Sequence, residues 1–148
     1  MKKTWVVVAN ASTAKIYQAL NAKGELALIT TLSHPESRLR NQDLVTDKQK
    51  EHHNGGAATP HDGERISPKA VEAQRFAHEI AAYLKEGRVQ QQFERLIVAA
   101  APQFKGVLIA ALDAATAKLV EKSIDKDYTQ EDERTLGERL AESIRYAA

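Results

Sequence analysis

The chain has 148 residues, enough for one domain with one sizeable core, and 43% hydrophobic against 28% charged residues is the balance of an ordinary soluble globular protein. Twenty-one Lys and Arg against 20 Asp and Glu leave a formal net charge of +1, which argues weakly against extensive contact with nucleic-acid phosphates. The absence of cysteine removes disulfides, zinc-thiolate sites and thiol nucleophiles together and fits a reducing compartment.

The opening MKKTWVVVANAS carries an apolar run too short for a signal peptide, and no stretch approaches the roughly 20 apolar residues of a membrane span. The expectation is therefore a cytoplasmic protein, or one exported by a route the sequence does not show, with no membrane contact. TWVVVA (4–9) is a short, β-branched, continuous apolar run and is expected to be a central strand buried on both faces. A turn at Asn10–Thr13 leads to AKIYQAL (14–20), with Ile16, Gln18 and Leu20 on one face and Lys15, Tyr17 and Ala19 on the other. Asn21–Gly24 turns the chain again into ELALITTL (25–32), so the domain should begin as an antiparallel meander of three strands.

From Ser33 to Ile66 periodicity disappears, and a connection of that length in a compact domain is expected to be functional or mobile. Ser67-Pro68 is a helix start, with Ser as N-cap and Pro in the first turn. Ala73, Phe76, Ala77, Ile80 and Leu84 then form one helical stripe that ends near Gly87 and frays into RVQQQ. FERLIVAAA (93–101) is a second buried strand. Pro102 opens a helix through about Leu112 that presents Phe104, Leu108 and Ala111, and DAATAK holds a short helical turn. LVEKSI (119–124) reads as a strand with Leu119, Glu121 and Ser123 opposite Val120, Lys122 and Ile124. Thr129 and Asp132 resemble a capping box for a last helix that presents Leu136, Leu140, Ala141 and Ile144. The order βββαβαβα predicts a single α/β domain over residues 1–148: a mixed five-stranded sheet covered by helices on its faces, with a long loop at about 34–66. That order also occurs in ribonuclease H-like enzymes.

The residues of the long connection invite chemistry. Gly55-Gly56 permits unusual backbone angles and close approach to another molecule. His52, His53 and His61 beside Asp62 are of metal-ligating type, but their spacing matches no metal signature and adjacent side chains on extended backbone point apart, so no metal and no cofactor is expected. Arg38 and Arg40 in HPESRLR could fork onto phosphate or carboxylate, while Glu36 and Asp43 stand near enough to satisfy them within the loop. The first strand ends at Asn10 and the strand 93–101 in alanines, so a two-metal nuclease lacks its acids; Asp125 and Asp127 read as strand-terminating residues. No serine sits in a GxSxG elbow, and His78 beside the helical stripe reads as a surface or edge-of-core residue. No catalytic residue is assigned.

WVVVANASTAKIYQ, HPESRLRNQDLV, RFAHEIAAYL, LIVAAAPQFKGVLIAAL and IDKDYTQEDERTLGERL, in that order from Trp5 to about Leu140, resemble the bacterial host-attachment protein family, described as proteins required for attachment to host cells. A more distant similarity is to the middle domain of archaeal and eukaryotic class-I peptide-release factors. In those factors a Gly-Gly-Gln tip precedes a long helix; here Gly55-Gly56 precede the helix of Arg75-Phe76-Ala77, and LIVAAAPQFKG is similar to the block that follows. Ala57 occupies the position of the glutamine, whose hydrogen bond to water a methyl group does not replace. The resemblances imply a non-enzymatic binding protein involved directly or indirectly in attachment, working through the 34–66 loop on an unknown protein partner. The alternative they imply is a ribosome-associated factor that meets the ribosome or tRNA through Gly55 and Gly56.

Overall fold

A computed structural model of the protein describes residues 2–34 and 67–146. Five strands form one mixed sheet in the order β3-β2-β1-β4-β5: β1 is Thr4–Ala9, β2 Thr13–Ala19, β3 Leu26–Ser33, β4 Arg95–Ala100 and β5 Val120–Ile124. β1 pairs antiparallel with β2, and β2 with β3, as the two turn signals require. On its other side β1 runs parallel to β4, and β4 to β5, which makes β1 the central strand. The helices are α1 (Pro68–Val89), α2 (Pro102–Ala111), the short α3 (Ala114–Ala117) and α4 (Glu133–Tyr146). The expected single-domain α/β architecture with a mixed five-stranded sheet is the one observed.

Alternation along the central strands sorts the core into two layers. Trp5, Val7 and Ala9 of β1 with Leu96, Val98 and Ala100 of β4 face α1 and α2, meeting Phe76, Ile80, Leu84, Phe104 and Leu108. Val6, Val8, Ile97 and Ala99 face the opposite way and are covered by Leu136, Leu140 and Ile144 of α4. A strand buried on both faces cannot alternate apolar with polar, hence the unbroken run TWVVVA.

α1 begins as its sequence requires. Ser67 has extended backbone and its side-chain oxygen accepts the Ala70 amide N–H, with Pro68 directly after it. The helix ends at Val89, two residues beyond Gly87, and the chain leaves through Gln91 at φ 59°. Gly87 is required for packing: a Cβ there would stand 2.6 Å from the Trp5 ring.

Three expectations fail. Val120, Lys122 and Ile124 do not share a face, because a register shift between Leu96 and Ile97 inserts one residue into the β4–β5 ladder; Val120 packs with the α1/α2 layer and Ile124 with the α4 layer. Thr129 does not cap α4. Asp132 does, its carboxylate accepting the Thr135 amide N–H at 2.7 Å, while Thr129 is buried with its hydroxyl on Asp127. Leu20, placed on strand β2 by its pattern, lies just past it and is 53% exposed.

Among the described residues, one charged side chain is fully buried. Arg95 in β4 is fully buried; its guanidinium donates to the Thr4 hydroxyl and to the Ile144 carbonyl near the C-terminal end of α4, and Nη1 lies 3.6 Å from Glu121. Nη1 makes no hydrogen bond of its own. The contact to Ile144 places a cation where the last-turn carbonyls concentrate negative partial charge, so Arg95 fastens α4 to the sheet.

Candidate functional site

β1 and β4 are parallel neighbours whose onward connections diverge, β1 toward β2 and β4 toward β5. In open α/β sheets the crevice beyond the carboxyl ends of two such strands is the habitual binding position. In this chain the β1–β2 turn, the exit of β3 at His34, and the N-termini of α1 and α2 all gather at that end.

The exit of β3 is tied down tightly. The His34 amide N–H donates to the Ser12 carbonyl at 2.8 Å, its Nε2 lies 2.8 Å from Glu72 Oε2, and its ring stacks on Phe76 with centroids 5.4 Å apart. Both His34 and Glu72 are about 95% buried, at 5% and 4% relative exposure. Arg75 reaches back one helical turn to Glu72 Oε1 at 3.0 Å, and Glu79 Oε1 stands 3.9 Å from His34 Nδ1. A buried carboxylate with partners on both oxygens is stable where an isolated one would not be. The consequence is geometric: the chain leaves β3 and re-enters at α1 through two residues held against each other.

Phe76 stacks in turn near Phe104, 6.0 Å away, and Phe104 reaches the wall of a cleft of about 420 Å³. Ala11, Ala70, Ala73 and Val107 complete its apolar walls, and Ser67, Lys69 and Gln103 lie at its mouth. A neighbouring cleft of about 460 Å³ continues along the α1/α2 groove past His78, which is exposed as its sequence position suggested.

Beyond β1 and β5 a second polar network closes the end of the sheet. The Asn10 side-chain amide donates to Asp127 and to the Thr129 hydroxyl, both at 3.1 Å, while its oxygen accepts the Ser12 and Thr13 amides. Lys15 donates to the Thr129 carbonyl at 2.8 Å, and Asp125 pairs with Lys105 at 2.6 Å. Partial burial pushes the Asp127 carboxyl up, but hydrogen bonds from Thr129 and Asn10 outweigh it and hold the carboxyl below its usual value. Of these two acids, which the sequence left as strand-terminating residues, Asp127 clasps the β5–α4 connection to the first hairpin and Asp125 ties its start to α2. Among the described residues no group of three His, Cys, Asp or Glu side chains could hold a metal ion.

The residues singled out in sequence, Arg38, Arg40, His52, His53, Gly55, Gly56 and His61, lie outside the described residues. Sequence reasoning missed the His34–Glu72 contact. Its signal was present, since Glu72 stands four residues before Phe76 and so interrupts the apolar face of α1 with an acid that needs a buried partner.

Among the described residues no helix is long and apolar enough to cross a membrane. A solved structure described as an archaeal protein aligns with TM-score 0.47 and 13% identity, covering 98% of this chain and 38% of that one. None of the curated proteins matches the chain. The family described as "Protein required for attachment to host cells" matches residues 5–140, nearly the whole sequence. The chain therefore belongs to the family of proteins required for attachment to host cells.

Proposed function

We propose that the protein is a binding protein whose part in attachment is carried by residues 35–66 acting on a protein partner, with the rest of the domain as a rigid frame. The observation that supports this reading is the His34–Glu72 contact, which presents both ends of that segment from one place at the carboxyl end of the sheet. Loops held by a rigid scaffold are where recognition concentrates. The conformational freedom of Gly55-Gly56 and the arginines Arg38 and Arg40 supply close approach and charge within the segment.

The test compares attachment to cultured host cells between bacteria that make the native chain and bacteria that make Gly55→Val/Gly56→Val or Arg38→Ala/Arg40→Ala, with the purified variants checked for native thermal stability. The reading requires attachment to fall in at least one folded variant. Undiminished attachment in both removes residues 35–66 from the role. Salt-sensitive co-sedimentation of the native chain with ribosomes, lost in the glycine variant, would favour the translation-factor reading instead.

A further inference from the structure

The cleft between the N-terminal turns of α1 and α2 differs from the other large depressions on the molecule. The one between the β2–β3 turn and α4 is lined by Lys23, Glu25, Glu133, Arg134 and Glu138, charges of both signs. The one beside His78 is bounded by Gln74, Val107 and the small residues Gly106, Ala110 and Ala111. The cleft over Phe104 has the most apolar wall of the three, with one charged residue, Lys69, at its mouth. No described carboxylate pairs with Lys69; the nearest in sequence, Glu72, is buried and occupied by His34 and Arg75.

Size and position narrow the occupant. About 420 Å³ falls in the range of roughly 300–1,000 Å³ typical of small-molecule clefts and is too small for a folded partner. Its place beyond the carboxyl ends of β1 and β4 is the position at which open α/β sheets take small ligands. The Ser67 oxygen already accepts the Ala70 amide, which leaves its own O–H to donate outward beside Lys69 and the Gln103 amide.

We propose that this cleft binds a small amphiphilic anion, with an aromatic or branched aliphatic body against Phe104, Val107 and Ala73 and a single negative head at Lys69 and Ser67. A neutral apolar molecule would leave the Lys69 charge unused. A dianionic or strongly polar one would bring more charge than one lysine meets and find too few partners on the walls. The inference goes beyond the proposed role in attachment and does not depend on it.

The probe is 8-anilinonaphthalene-1-sulfonate, titrated by fluorescence against the intact chain, with uncharged N-phenyl-1-naphthylamine as its counterpart. The native protein should show one saturable sulfonate site. Lys69→Glu, on an exposed side chain, should weaken sulfonate binding about tenfold or more and leave the uncharged analogue unaffected; Ala73→Phe should abolish both. Circular dichroism and Trp5 emission confirm that each variant is folded. Absence of saturable binding, or sulfonate affinity unchanged by Lys69→Glu, overturns the proposal.

Discussion

Gly137→Ala in α4 tests the packing logic most sharply, because helix propensity and tertiary contact push in opposite directions. On propensity alone the change should stabilise by about 1 kcal/mol, the advantage of Ala over Gly inside a helix. Gly137, however, lies against the β2–β3 turn: a Cβ there would stand 2.1 Å from the Gly24 carbonyl oxygen, and one at Gly24 would stand 2.5 Å from the Gly137 carbonyl oxygen. The obstacle is backbone, and Gly24 is at φ +97°, so the turn cannot rotate away cheaply. The helix must lift instead, withdrawing Leu136 and Leu140, both fully buried. Overpacking of this kind costs about 1–3 kcal/mol, and losing about a third of the burial of two leucines adds about 1–2 kcal/mol. Against the propensity gain, a net loss of about 1–4 kcal/mol is expected. The control is Gly106→Ala in α2, where nothing lies within 4 Å of the new Cβ; it should gain about 0.5–1 kcal/mol. Urea denaturation followed by the single tryptophan measures both. Equal signs for the two variants, or a stabilised Gly137→Ala, would refute the reasoning.

Arg95→Ala removes the buried fastening between Thr4, Glu121 and α4 and should cost about 3 kcal/mol in the same assay, with protease cleavage appearing first near the C-terminal helix. Gly87→Ala should disturb the Trp5 ring that rests on it, shifting the emission of this 3%-exposed indole to longer wavelength and lowering stability by about 1–3 kcal/mol. Acid should weaken the fold in a defined window. Asp127, Asp113 and Asp132 all have folded values below the usual 3.8: Asp127 for the hydrogen bonds that outweigh its burial, Asp113 first through the Thr116 hydroxyl, and Asp132 first through the Thr135 amide. Their contribution is complete above the unfolded value and is lost as pH falls through the lowered ones, so urea midpoints should hold from neutral to about pH 5 and drop below about pH 4. Asp127→Asn should flatten that drop, and an unchanged acid profile would count against the Asn10–Asp127–Thr129 clasp.

Much of the frame was legible in the sequence because local rules and tertiary demands coincide there. TWVVVA could only be a strand buried on both faces, two turn signals made an antiparallel start, and Ser67-Pro68 capped α1 where the pattern placed it. The stripe Phe76, Ile80, Leu84 buried as its spacing required. What depended on distant residues was not legible. The register shift between Leu96 and Ile97 divides Val120 from Ile124, and no residue within β5 announces it, because a ladder is set by two strands at once. Asp132 displaced Thr129 as the α4 cap because the Thr129 hydroxyl serves Asp127 and Asn10 across the sheet. Gly24 read as a turn residue, and only its meeting with Gly137 gives the glycine inside α4 a reason. The sequence by itself determined the strands, the helices and the apolar faces, since these follow from periodicity and local backbone preference. The tertiary structure alone decided which buried polar groups meet, His34 with Glu72 and Arg95 with Ile144, because a buried charge is satisfied by whatever the fold brings within hydrogen-bond distance and sequence spacing does not record that distance.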